Sequence, residues 1–231
     1  MKQNEWIKTL KVAFPHSIPV LTGFTVLGLA YGILMQSKGY GGLWPTAFSA
    51  ICFCGSMQFV AITLLTTVFS PLQALLLSIM VNARHIFYGL SMLQKYKGVG
   101  KIKPILIYVL CDETFSILST TDVPEGIDRK KFYLLVSLLD YSYWIIASTV
   151  GGLLGELINI NTEGLDFVLT ALFVVLFLEQ WKKKENRVPC IIGAVFTLIS
   201  LFIFGVDNLV IPAMVGILAC LLLMQRRLKA C

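Results

Sequence analysis

The chain has 231 residues, of which 57% are hydrophobic and only 14% charged, against roughly 25% charged in a soluble domain. A soluble core of this size has no room for so much apolar surface, so the composition demands the bilayer as solvent. The formal net charge of +6 does not point to nucleic acid, because the basic residues form short clusters between apolar runs with no aromatic-interleaved groove.

Residues 1–15 carry Lys2, Lys8 and Lys11 around Trp6, Ile7, Leu10 and Phe14, the pattern of an interfacial amphipathic helix, and Pro15 is expected to end it. Apolar segments follow at about 18–36, 44–69, 71–93, 102–121, 132–155, 166–181, 188–205 and 209–225. The first lacks a small-residue cleavage site and reads as an uncleaved span. Pro, Gly and charge clusters mark each connection and no long linker intervenes, so residues 1–231 read as a single membrane domain. The fold class is therefore an all-α polytopic integral membrane protein with six to eight transmembrane helices. Trp6, Trp44 and Trp181 suit an aromatic belt.

Two segments are interrupted, 44–69 by Cys54-Gly55-Ser56 and 102–121 by Asp112-Glu113. If all eight cross, Lys38, Lys95, Lys97, Lys101 and Lys103 fall outside. If these two are broken, re-entrant hairpins, Lys38 alone is outside, Arg84 stays in the membrane, and every other cation lies inside. The positive-inside rule prefers the hairpins, and both layouts place the N- and C-termini in the cytoplasm. Non-helical backbone at depth belongs beside a wet or protein-lined cavity, so the breaks also mark a site. A faint internal repeat pairs Gly42-Leu43 and Gln58-Phe59 with Gly164-Leu165 and Gln180-Trp181, and Gly28 and Gly32 with Gly151 and Gly155. The glycine pairs also have a plainer reading as close helix contacts.

Intramembrane ionisable residues are costly and mark function. In Phe53-Cys-Gly-Ser-Met-Gln-Phe59 the glycine break exposes N–H groups, Ser56 is placed to cap a half-helix, and Gln58 adds a donor and an acceptor for a carboxylate. In Asn82-Ala-Arg-His-Ile-Phe-Tyr-Gly89, Arg84 and Tyr88 share a face, as do His85 and Tyr88. Arg84 offers a fork to an acidic partner or a substrate carboxylate, and His85, which ordinarily titrates near neutrality, suits a coupling proton. Asp112 and Glu113 repel each other in low dielectric, which suits ion coupling. Asp140 either faces the cavity or bonds a neighbouring helix, and Glu179 reads as an interfacial anchor. Together, Ser56 or Arg84, Asp112 or Glu113, and Phe53, Phe59 and Phe87 offer a carboxylate receptor, an ammonium receptor and an apolar slot for a zwitterion with an apolar side chain. The six cysteines show no CxxC or metal-ligand spacing, so no metal or cofactor is expected.

The succession FxGSxQF, NxRHxxYG and a mid-membrane DET, read here as Phe53–Phe59, Asn82–Gly89 and Asp112–Thr114, resembles the large AzlC-type permease subunit of branched-chain amino acid exporters (the LIV-E family). Position 54 is Cys, where that pattern usually has a smaller residue. The resemblance implies a two-component permease of the bacterial inner membrane, completed by a small hydrophobic AzlD-type membrane subunit. It also implies efflux of leucine, isoleucine, valine and methionine; the proton as coupling ion is an expectation from the ionisable residues alone. Substrate contacts then fall to Phe53, Ser56, Gln58, Phe59, Asn82, Arg84 and Tyr88, and coupling to His85, Asp112 and Glu113. No GxxxxGK[ST] motif is present, so an ion gradient is the expected energy source. Two other classes fit the same residues: an intramembrane hydrolase using a Ser56/His85 dyad, though without a GxSxG turn, and a passive channel for small zwitterions.

Overall fold

A computed structural model describes residues 2–68, 70–157, 167–182, 184, 187–205 and 209–229. All regular structure among them is helical: α1 Lys2–Ser37, α2 Leu43–Ile51, α3 Gly55–Thr66, α4 Pro71–Lys95, α5 Lys103–Tyr108, α6 Asp112–Thr120, α7 Arg129–Leu157, α8 Phe167–Lys182, α9 Arg187–Phe204 and α10 Val210–Lys229. Four helices, within α1, α4, α7 and α9, are long and apolar enough to cross a bilayer. The chain packs as two compact units, residues 1–169 and 170–231. In the second, α9 and α10 lie against each other with Gly216 on the Phe196 ring. Gly164 and Leu165 of the suggested repeat lie outside the described residues, as do the side chains of Glu179 and Gln180.

The first unit is built on α1 and α7, which run parallel in contact along their length. Lys131 pairs with Glu5 at one end, here called the near end. Ser17 and Tyr143 share a hydrogen bond of 3.0 Å midway, and Gly28 and Gly32 meet Ala147, Ser148 and the Gly151-Gly152 backbone toward the far end. A Cβ on Gly151 would fall on the backbone of Leu29, and one on Gly155 within 3.1 Å of the Gln36 side chain. The four glycines are thus the contact that lets two backbones touch.

Pro15 does not end the first helix: α1 runs unbroken from Lys2 to Ser37 with Pro15 and Pro19 inside it. The reason is tertiary. Thr9, Ala13, Ser17, Val20 and Phe24 are buried at helical spacing, so the stripe that packs into the first unit continues through the proline and outweighs its missing N–H. Residues 1–15 are therefore the base of a longer helix, with Trp6, Ile7, Leu10 and Phe14 on its exposed face.

The two interrupted segments are re-entrant hairpins that enter from opposite ends. Helix α2 starts at the far end of α7, with Thr46 bonded to Thr149 (2.8 Å) and Ser148 donating to Ser49 (2.7 Å). It stops at Cys52–Cys54, and α3 returns to the end it came from, where the Tyr40 hydroxyl donates to the Leu65 carbonyl (3.0 Å). Helix α4 then runs to the near end, where Met92 and Tyr96 join Ala13, Phe132, Tyr133 and Leu118 in a buried cluster. Helix α5 rises from that cluster until the Tyr108 hydroxyl reaches the carbonyls of Ala50 and Ile51, both at 2.7 Å. The backbone unwinds at Val109–Cys111, and α6 goes back down to Leu118 and Ser119, whose carbonyls accept from the Lys95 ammonium at 2.6 and 2.8 Å. The tips thus meet in the middle of the unit. The second break is covered by protein, as the bilayer favours, with Val109, Leu110 and Cys111 all buried; in the first, Phe53 is buried, Cys54 half-buried and Cys52 exposed.

Candidate functional site

Arg84, on crossing helix α4, joins the two tips. Its Nη2 donates to Ser56 Oγ in the first turn of α3 (2.5 Å), and its Nη1 pairs with Asp112 Oδ2 at the start of α6 (2.5 Å). The planar guanidinium reaches two groups at once, which an ammonium could not do in this geometry. Asp112 and Glu113 occupy the first turn of α6, where the free N–H groups and helix dipole favour negative charge. The clasp stays reachable: 31% of the Arg84 side chain and 23% of the Asp112 side chain are exposed. Arg84 Nε is buried without a partner.

Around the clasp, Asn82 Oδ1 accepts from the Cys54 thiol (3.2 Å), a second tie between α4 and the first tip. Tyr88 stacks on Phe115 of α6 with centroids 4.6 Å apart, and His85 meets Tyr88 edge-on at 5.7 Å. The site therefore gathers Ser56, Asn82, Arg84, His85, Tyr88, Asp112 and Glu113. The expected helix cap is not formed: Cys54 holds the N-cap position without a capping bond from its side chain, and the Ser56 hydroxyl serves Arg84 instead. His85 Nδ1 is buried without a partner, and the described contacts include no Ser56–His85 hydrogen bond, so the serine–histidine dyad lacks its defining contact.

Gln58, expected at the substrate, borders an apolar cavity and also ties the fold together. Its amide donates to Ser49 (3.1 Å) and accepts from Trp144 Nε1 (2.6 Å), at 1% exposure. It holds the first hairpin to itself and to α7, with Gly55 leaving room for the Trp144 ring. Gln58→Leu should strand the Trp144 donor, at about 1–3 kcal/mol, while Ser49 keeps its bond from Ser148. A lower unfolding temperature in detergent is the expected result.

The aromatic slot also differs from expectation. Phe53 packs edge-on to Tyr141 (5.0 Å), Phe59 packs on Tyr31 (5.5 Å), and Phe87 is 62% exposed on the outer face of α4. An apolar cavity of about 260 Å³ lies between α2, α3 and α4, lined by Phe48, Met57, Gln58, Ala61 and Leu64, with Cys54 and Ser78 at its wall. That volume is below the roughly 300–1,000 Å³ of a site enclosing a whole drug-sized ligand, and suits a side chain.

Comparison with known proteins bears on these residues directly. The AzlC protein family matches residues 19–158, which include both hairpins, the clasp, about half of α1 and all of α7. The chain is 45% identical over 228 residues to the branched-chain amino acid transport protein AzlC of Bacillus subtilis, covering 99% of this chain and 90% of that one. It is 38% identical over 226 residues to an uncharacterized membrane protein of Helicobacter pylori, covering 98% and 99%. Identity to the inner membrane protein YgaZ of Escherichia coli is 24% over 177 residues, covering 74% and 72%. No solved structure matches. With a family match over more than half its length and a relative of this identity along almost all of it, the chain belongs to the AzlC family of membrane proteins.

Proposed function

We propose that the chain is a transport protein, not an enzyme, and that it exports branched-chain amino acids as a secondary carrier. The observation that carries this reading is the Arg84 clasp between two hairpin tips that approach from opposite sides. A zwitterion entering the clasp gives its carboxylate to Arg84 and the free α3 N-terminus and its ammonium to Asp112. One ion pair thus exchanges for two without leaving a buried charge unpaired. The aliphatic side chain enters the cavity beside Met57 and Ala61. The B. subtilis relative, a branched-chain amino acid transport protein, supports this substrate class.

The whole chain acts as one transport domain in the bacterial cell membrane, with both termini cytoplasmic, as the basic clusters favour. A small AzlD-type membrane subunit completes it. Export draws on the proton gradient, with His85, Asp112 and Glu113 at the clasp exchanging the proton. Movement of either hairpin tip away from Arg84 opens the clasp to one side at a time, the logic of alternating access around a fixed midplane site.

The test is loading and release of radiolabelled leucine in cells expressing the chain with such a subunit. Release should be faster than in empty cells and should fall to their level when a protonophore collapses the gradient. Leucine that only equilibrates, with or without the gradient, would indicate a channel. Release no faster than in empty cells, with the protein in the membrane, would reject the reading.

The cavity supplies a finer prediction. Ala61→Leu fills part of it, and leucine and isoleucine should lose more than valine. A methylene or two in an apolar pocket is worth about 1–3 kcal/mol, so roughly a tenfold change in the leucine-to-valine ratio is expected in competition efflux.

A further inference from the structure

Asp140 lies in the middle of α7, at 0% exposure. Its Oδ2 accepts from the Thr114 hydroxyl in the first turn of α6 (2.8 Å), while Oδ1 is buried with no partner. Ser137, one turn earlier on the same face, is also at 0% exposure, and its hydroxyl has no partner either. Among the described residues no cation lies within ion-pair distance of Asp140, in contrast to Asp112, which has Arg84. A carboxylate in this setting must be neutralised, because neither solvent nor a counter-charge compensates it.

The groups packed around it do not supply that charge. From α6, Glu113 faces it closely enough for the two to interact electrostatically, and Cys111 shares Thr114 with it at 3.2 Å. On α1, the His16 ring sits against Phe132, two turns before Asp140 on α7. Helix α5 brings Tyr108, whose hydroxyl is spent on Ala50 and Ile51, and Lys103 at its first residue. Helix α2 carries no ionisable side chain. What remains to neutralise Asp140 is a mobile ion.

We infer that Asp140 stores the coupling proton that His85, Asp112 and Glu113 exchange at the clasp, with Thr114 as its hydrogen-bond partner and Ser137 one turn away on the same face. The proton adds to Oδ1 to give the neutral acid and leaves to water when the site opens to the other side; no other bond forms or breaks. The link to the substrate is short. Thr114 lies two residues after Asp112, so a change in charge at Asp140 acts on the first turn of α6 and through it on the pairing of Asp112 with Arg84. This rests on the transport reading above, but it concerns a residue outside the clasp, and it separates the group that stores the proton from the groups that hold the amino acid.

Asp140→Asn mimics the protonated acid in size and charge. In vesicles containing the full chain with its small subunit, this variant should keep exchange of labelled for unlabelled leucine near the wild-type rate. It should lose leucine movement driven by a pH gradient, and its exchange should no longer vary with pH. Gradient-driven movement equal to wild type would overturn the inference, as would loss of exchange together with it in a variant that reaches the membrane intact.

A second measurement needs no variant and no leucine transport. A hydrophobic carbodiimide attacks protonated carboxyls, so peptide mapping of the treated wild-type protein should find Asp140 modified in acid and progressively less as the pH rises. Absence of modification at every pH would overturn the inference, whether or not the variant folds. Wild-type vesicles that exchange no leucine, while Asp140 titrates in this way, would instead fault the substrate reading and leave the ion site standing.

Discussion

Arg84→Ala is expected to abolish leucine release, a loss of at least about 100-fold, since a transport step loses both its carboxylate receptor and the bond between its two moving parts. Arg84→Lys should fare little better. An ammonium can take the place of one contact, but it does not span Ser56 and Asp112 in one plane as the guanidinium does. The alanine variant also leaves Asp112 without its cation. Removing one partner of a fully buried pair costs about 3–5 kcal/mol, and the partial exposure of both side chains makes the cost here smaller. Adding Asp112→Asn to Arg84→Ala should therefore restore protein level and unfolding temperature while transport stays absent. Recovery of transport in the double variant would mean that the charges serve the fold and not the substrate. Release assays at matched membrane levels, with thermal unfolding in detergent, separate the two effects.

Gly151→Val should have the largest effect on the fold itself. A Cβ at this position meets the backbone of Leu29, which cannot swing aside as a side chain would. The two longest helices would have to separate along a contact that also holds the Ser17–Tyr143 hydrogen bond and, through Ser148 and Thr149, the first hairpin. No monodisperse peak in size-exclusion chromatography is expected from this variant, and Gly32→Val should behave the same way. The control lies on the same helix: Gly23 has nothing within 4 Å of where a Cβ would be. Gly23→Ala should leave the protein intact or raise its stability by about 0.5–1 kcal/mol, the usual gain of alanine over glycine within a helix.

Much of this architecture can be read from the chain, because the bilayer makes violations of its rules conspicuous. Glycine and paired acids in the middle of apolar runs place the breaks within a few residues of where they occur, at Cys52–Cys54 and Val109–Cys111. The distribution of lysine prefers hairpins, and hairpins are what the chain forms. Arg84 stands out as a cation far from any segment end, and it is the residue that joins the tips. Two kinds of feature escape such reading. One is competition between local and tertiary preference: Pro15 is a strong stop signal, yet a buried stripe from Thr9 to Phe24 carries the helix through it. The other is long-range pairing. Nothing near Gln58 in the sequence reveals that Trp144, 86 residues away, takes its carbonyl oxygen. Nor does anything near Asp140 reveal that Thr114 is its partner and that one of its oxygens has none. The apolar slot fails for a related reason: aromatic residues beside a break invite a binding role, but Phe53 and Phe59 pack inward against Tyr141 and Tyr31. The cavity is walled by smaller or more flexible residues such as Ala61 and Met57.

The account stands on the claim that a zwitterion is held by both of its charges between Arg84 and Asp112. Equilibrium binding to the purified protein tests that claim most directly, comparing leucine with N-acetylleucine, which lacks the ammonium, and leucinamide, which lacks the carboxylate. Leucine should bind and both blocked compounds should fail to compete. Competition by either one at concentrations close to those of leucine would show that the charge it lacks is not read, and would contradict the clasp as the substrate site.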